Sequence, residues 1–209
     1  MVRHTLAHYS AFCNKITVYD NESTDGTPEI IKKYFPDVVV ESYFSNNEIN
    51  DLLYLEIKNT CWKQELTGPI PKPDYVIVCD MDELLYAPYI KPALEILHLN
   101  GVALPPVTGY NMISDKFPDD YTRPITKQVQ YGMRALSFDM LKQGVKSPSF
   151  DKQIIFDPNQ IKEINYAPGA HACNPVFYKK PNNLVAKLPI LQLLHYKYLS
   201  KEYLQSRHD

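Results

Sequence analysis

Short uncharged runs alternate along this chain with stretches whose apolar residues recur every three or four positions, the pattern of strands alternating with amphipathic helices. Residues 1–14 carry Leu6, Tyr9, Ala11 and Phe12 at helical spacing and predict a helix. Ile16-Thr17-Val18-Tyr19 predicts a strand that ends in acid, followed by the turn formers Ser23, Asp25 and Gly26. Thr27 then predicts a helix N-cap, with Pro28 at the first helical position and Ile30, Ile31, Tyr34 and Phe35 as the apolar stripe. Pro36 ends that helix, and Val38-Val39-Val40 predicts the next strand. Ser45 and Glu48 have the spacing of a capping box, ahead of Ile49, Leu52, Leu53, Ile57 and Cys61 at helical spacing. A Gly-Pro and Pro-Lys-Pro loop leads to Tyr75–Cys79, an uncharged run that predicts a strand apolar on both faces. The first 85 residues thus read helix, strand, helix, strand, helix, strand, which implies parallel pairing with right-handed crossovers.

The second part is less regular. Pro88–Leu99 predicts a short helix with Ala93, Leu94, Ile96 and Leu97 inward, and Val102–Leu104 a strand. Residues 105–124 read as a long Pro- and Asp-rich loop, of a length that is often functional. Thr126–Lys142 reads as mostly helical, Gln153–Phe156 and Ile164–Tyr166 as strands, and Leu188–Tyr198 as an apolar strand. Ser200 caps a last helix that is cut off near Asp209, which raises the expectation of a longer polypeptide.

Composition narrows the picture only in places. With 22 basic and 24 acidic residues the net charge is −2, so the chain lacks the basic footprint of a nucleic-acid binder. No apolar run reaches the 18 residues that would predict a transmembrane segment, and the N-terminus has no signal-like core. Cys13, Cys61, Cys79 and Cys173 are scattered without a CxxC pair, which argues against zinc and fits a reducing, cytoplasmic setting. Tyrosine is abundant, but composition does not separate a sugar platform from half-buried packing.

The strongest chemical signal is the end of the Tyr75–Cys79 strand, where Asp80, Asp82 and Glu83 put three carboxylates within four residues. In a continuing strand Asp80 and Asp82 are one alternation apart and point the same way, into the crevice where open α/β sheets bind ligands. Carboxylates that close repel unless a cation neutralises them, and oxygen donors at this spacing suit Mg2+ or Mn2+. The plainer reading is a polar strand end with solvated acids.

Val18–Thr27, with its Asp-Asn-Glu-Ser-Thr-Asp-Gly-Thr turn, and Cys79–Glu83, with its Asp-Met-Asp-Glu strand end, together resemble nucleotide-sugar glycosyltransferases of the GT-A fold, family 2-like, virus-encoded members among them. Leu194-His195-Tyr196-Lys197, followed by Ser200–Tyr203, and the Lys152 strand leading into Gly169-Ala170-His171 fit the same pattern. The resemblance covers most of the chain and is specific in its first half. It implies one domain over residues 1–209, with residues 1–86 as the nucleotide- and metal-binding half and 87–209 as the acceptor side. The implied fold is α/β, GT-A-like and Rossmann-like, with a mixed, mostly parallel central sheet flanked by helices. Such enzymes begin with a strand ahead of the first helix, whereas this chain starts inside that helix at Val2–Leu6.

What the resemblance implies for chemistry is a Mn2+- or Mg2+-dependent transfer of a hexose or deoxyhexose from a UDP-sugar to a glycan or glycoprotein hydroxyl, with inversion. Asp82 takes the role of a direct metal ligand and Asp80 that of a ribose or metal-water contact. His195 and His171 compete as a late metal ligand, and either can equally be a satisfied structural histidine. Asp20, Asn21 and Glu22 take the place of the nucleoside-binding turn, against the alternative of a helix-capping turn. Lys197 stands to meet the diphosphate or solvent. An inverting enzyme needs a carboxylate base, for which Asp119, Asp120 and Asp151 qualify by position alone. Trp62, Tyr110 and Tyr121 are candidate sugar-stacking rings or packing residues.

Two other readings compete. Haloacid-dehalogenase-like phosphotransferases also open with an apolar run and Asp-x-Asp. They carry Thr or Val where this chain has Leu84, and put the motif on their first strand, whereas here two strands precede it. A non-catalytic nucleotide- or glycan-binding module would bind UDP with metal but show no turnover.

Overall fold

The computed structural model describes residues 1–46, 48, 50–67, 71–134, 151–180 and 191–206. Helix α1 spans Val2–Ser10, and β1 (Thr17–Asp20) runs through α2 (Thr27–Tyr34) to β2 (Val39–Ser42). Strands β1 and β2 pair in parallel, Thr17 opposite Val39, as the βαβ pattern predicts. Gly26 precedes α2 at φ 81°, a left-handed geometry that favours glycine, and the Asp25 carboxylate accepts from the Thr27 N–H at 3.0 Å. The carboxylate that meets the helix start is therefore two residues before the expected Thr27. Likewise α3 (Asp51–Thr60) is capped by Asn50, which accepts from Leu53 N–H at 3.0 Å, and not by Ser45. The Ser45 hydroxyl instead donates to the Glu48 carbonyl at 2.8 Å, and Ile49 lies outside the described residues.

The expectation of one mostly parallel central sheet is not met. The chain is mixed α/β, with several small sheets. Only two residues of the Tyr75–Cys79 run form a strand, β3 (Val76–Ile77), and it pairs antiparallel with β7 (Ile155–Phe156). The largest sheet has the order β4-β10-β5-β6, made of Glu83–Tyr86, Leu191–Leu199, Val107–Ser114 and Gly132–Met133. Strand β10 is antiparallel to β4 and parallel to β5, so the late apolar run inserts between two earlier segments. Cores lie on both faces of that sheet. Leu85, Leu191 and Leu193 pack with Tyr9, Leu97 and Ile155, whereas Leu84, Leu194 and Tyr196 pack with Met112, Ile125 and Leu199. Alternation along β4 and β10 accounts for the two sets.

Several segments differ from their sequence expectations. Val102–Leu104 is irregular although Val102 and Ala103 are buried. The expected 105–124 loop contains the eight residues of β5 in its first half. Within the expected Thr126–Lys142 helix only α5 (Ile125–Gln128) is helical, β6 follows, and residues 135–142 lie outside the described residues, as do 188–190. The strand expected at Ile164–Tyr166 is instead β8 (Ile161–Glu163), paired antiparallel with β9 (Val176–Phe177). Helix α4 (Ile90–Leu99) forms as predicted with Ala93 and Leu97 buried, but Ile96 is exposed. Ser200, at φ 83°, accepts from Tyr203 N–H at 3.2 Å and starts α6 (Lys201–Ser206). Among the described residues no helix is long and apolar enough to cross a membrane.

One contact set positions the acidic segment. Asp82 carbonyl accepts from Tyr196 N–H at 2.7 Å, so the backbone groups of residues 81, 83 and 85 face away from β10. Helix α1 meets them with side chains. Thr5 donates to the Met81 carbonyl at 2.5 Å, and Tyr9 donates to the Glu83 carbonyl at 2.9 Å. Tyr9 also accepts from Leu85 N–H at 3.0 Å, and His8 Nε2 lies 2.8 Å from the Leu85 carbonyl. Residues 5, 8 and 9 share one helix face, and that face substitutes for a neighbouring strand.

Candidate functional site

The acidic residues do not continue β3. Asp80–Asp82 form a turn into β4, closed by Glu83 N–H donating to the Asp80 carbonyl at 3.0 Å. The two aspartates diverge from there. Asp80 is held by α3, where the Lys58 ammonium donates at 2.6 Å and the Tyr54 hydroxyl donates to the same oxygen. Its second oxygen lies 3.3 Å from Lys152. Lys152 also donates to Glu83, a fully buried carboxylate that in turn accepts from the Asp80 N–H at 3.1 Å. Burial acts to raise the Asp80 pKa, but Lys58 and Lys152 outweigh it and hold the carboxyl below its ordinary range. Burial likewise disfavours the charged Lys152, and Glu83 with Asp80 reverses this, leaving its pKa raised. Two acids and two lysines thus form a charge-balanced quartet, buried except for Asp80 at the cleft. In it Lys58 and Lys152 neutralise Asp80 and Glu83.

Asp82 faces the other way. Its Oδ2 lies 3.4 Å from His195 Nε2 on β10, and both side chains are nearly buried. His195 is opposite Glu83 across the β4–β10 ladder, and Asp82 reaches it from the turn one position before β4. Asp80, Asp82, His195, Lys197, His171 and Lys152 all line one open cleft of about 850 Å³. Burial and the Lys152 charge lower the His171 pKa below its ordinary 6.5. Asp25 and Thr27 at the start of α2 line the same cleft, with Met1, Val2 and Ile30, as do Tyr54, Met81 and, from α6, Tyr203 and Ser206.

The turn after β1 reaches the cleft by other residues than the expected ones. Asp20 is buried and accepts from Ser23 N–H at 3.1 Å, closing the turn from inside. Asn21 clamps Ser45, donating to its hydroxyl at 2.9 Å and accepting from its N–H at 3.1 Å. Glu22 is exposed at φ 50°. Among the described residues it is Asp25 and Thr27 of this turn that line the cleft.

The expected bases also lie elsewhere. Asp119 is exposed, and Asp120 caps Thr122, accepting from its N–H at 3.0 Å and its hydroxyl at 2.6 Å. Asp151 accepts from Gly109 N–H at 2.7 Å and pairs with Arg134 at 2.9 Å, pinning β5. None of the three lines the cleft among the described residues. Trp62 is core, edge-on to Phe156 with ring centroids 5.0 Å apart, and Tyr110 packs against the Leu84 core. Tyr121 stacks on His4 at 4.7 Å and receives Arg3 at 3.9 Å. Tyr54 and Lys58 went unnoticed in the sequence. Their signal is four-residue spacing on one face of α3, with a lysine among half-buried neighbours.

For a divalent cation, the described side chains offer the Asp82 carboxylate and the His195 imidazole, with His171 on the same cleft; the carboxylate suits Mn2+ or Mg2+, whereas imidazole favours softer metals. No cluster of three or more potential ligand side chains exists among the described residues, so the protein would supply only part of the coordination shell. No protein-family model matches this chain, and no curated protein matches it as a relative.

Proposed function

We propose that the chain is a GT-A-type glycosyltransferase that moves a sugar from a UDP-sugar to a glycan or glycoprotein hydroxyl, with inversion. The observation that carries this reading is convergence. Asp25 and Thr27, Asp80 and Asp82, His171, and His195 and Lys197 come from four separated segments and line one cleft. Under this reading Asp82 and His195 hold Mn2+ or Mg2+, Lys197 meets the diphosphate, and Asp80 accepts hydrogen bonds from donor hydroxyls. Asp20 and Asn21 fix the turn that presents Asp25 and Thr27. The bound cation would neutralise the UDP leaving group as the glycosidic bond breaks. All four cysteines are free thiols, which supports the reducing, cytoplasmic setting.

A second reading, a UDP-sugar-binding module without turnover, is favoured by one observation: Asp119, Asp120 and Asp151 are absent from the described cleft lining. Calorimetric titration of UDP, with GDP and CMP as controls, in Mn2+ and then in EDTA tests both. Binding of UDP alone that disappears on chelation is the expected result, and absence of binding in both conditions refutes the site. Release of UDP from UDP-sugars in the presence of glycan acceptors separates the transferase from the module.

A further inference from the structure

Lys152 bridges Asp80 and Glu83, the first and last carboxylates of the acidic segment. It lies just before β7, nearly buried, yet it lines the cleft. Its ammonium bonds Glu83 and reaches Asp80 at 3.3 Å, while Glu83 holds the Asp80 N–H at 3.1 Å. Asp80 therefore has its backbone fixed by Glu83 and its carboxylate fixed by Lys58, Tyr54 and Lys152. A carboxylate offers about four acceptor positions. Three are filled by these donors, and its side chain remains 28% exposed at the cleft, so one acceptor direction is presented to a ligand.

We propose that Lys152 is a positioning residue that, bridging Glu83 and Asp80, aims the remaining acceptor of Asp80 at a ligand hydroxyl. This deepens, and rests on, the nucleotide-sugar reading of the same cleft. The role differs from plain neutralisation of Glu83, which any arrangement removing both charges would satisfy. It also differs from service to a metal, because the metal-type donors Asp82 and His195 lie on the other branch of the turn.

The test is a double-mutant cycle in the intact chain. Lys152→Met alone leaves Glu83 charged and buried and is prone to misfold. Lys152→Met combined with Glu83→Gln removes both charges, keeps the net charge, and leaves an amide oxygen for the Asp80 N–H. This pair is made in the wild-type background and in Asp80→Asn, with Lys152→Arg as the conservative variant. UDP affinity in Mn2+ is measured by calorimetry, Mn2+ affinity without nucleotide by electron paramagnetic resonance, and folding by circular dichroism. The expected result is about a tenfold weaker UDP affinity in the charge-balanced variant, unchanged Mn2+ affinity, partial rescue by Lys152→Arg, and no additional loss once Asp80 is Asn. Wild-type UDP affinity in the charge-balanced variant overturns the proposal and leaves Lys152 as a counter-ion to Glu83. Losses that add to those of Asp80→Asn, or a parallel fall in Mn2+ affinity, overturn it as well. A wild-type chain that binds no UDP refutes the nucleotide-sugar reading and this inference together, whereas UDP binding with an additive cycle refutes the inference alone.

Discussion

Replacing Tyr9 by Phe removes one oxygen and tests how the acidic segment is held. The Tyr9 hydroxyl donates to the Glu83 carbonyl at 2.9 Å and accepts from Leu85 N–H at 3.0 Å, inside a wholly buried setting. Neither backbone group faces β10, so Phe leaves a buried donor and a buried acceptor without this partner. An unsatisfied buried polar group costs about 1–3 kcal/mol, so the pair predicts a loss of about 2–6 kcal/mol. For a chain of this size that is a fall in Tm of roughly 4–24 °C. Urea unfolding followed by circular dichroism measures the loss, and amide exchange at Leu85 localises it. Tyr131→Phe is the control, since Tyr131 is 83% exposed. A loss below about 0.5 kcal/mol, the ordinary range for surface changes, or an unchanged Leu85 exchange rate, would refute the claim that α1 acts as the missing strand.

Three further outcomes are expected. Asp82→Ala weakens Mn2+-dependent UDP binding by more than about 100-fold, beyond the usual effect of an outer-shell metal partner, with the circular dichroism spectrum unchanged; calorimetry reads this directly. Burial lowers the pKa of both His4 and His8 below 6.5, against the opposing pull of the Pro118 and Leu85 carbonyls. The unfolded chain therefore takes up these protons first, so the stability they contribute is intact above pH 6.5 and is lost as pH falls through their folded values; Tm scans across that window, repeated in His8→Gln, check it. Trp62 is the chain's single tryptophan and is 2% exposed, so its emission is blue and insensitive to added sugars, and Trp62→Ala costs about 3–5 kcal/mol by denaturant titration.

The parts of the fold that sequence revealed are those where one local signal suffices. The β1-α2-β2 unit has a strand run, a turn and a proline-started helix in immediate succession, and its parallel pairing follows. What sequence hid depends on partners far away. Strand β5 contains Gly109 and Asn111, weak strand formers flanked by prolines, and it is held by β10 from some eighty residues later. Strand β4 is four residues long and starts at a buried glutamate, so its Leu-Leu pair has no period to read. The same distinction governs the site. Asp80 and Asp82 are legible as a pair of acids, but their separation, Asp80 toward two lysines and Asp82 toward a histidine, requires Lys58, Lys152 and His195 to be seen in space.

The side-chain seal on β4 has a bearing on behaviour outside catalysis. A strand with open N–H and C=O groups is a template for another chain, and many proteins blunt such edges with charges, prolines or bulges. Here the blunting is done by Thr5, His8 and Tyr9 on a single helix, so protection of the edge lasts only while α1 stays docked. A chain whose α1 is cleaved or detached would present Glu83-Leu84-Leu85-Tyr86 as an adhesive apolar strand, and self-association would be the first symptom of losing that helix.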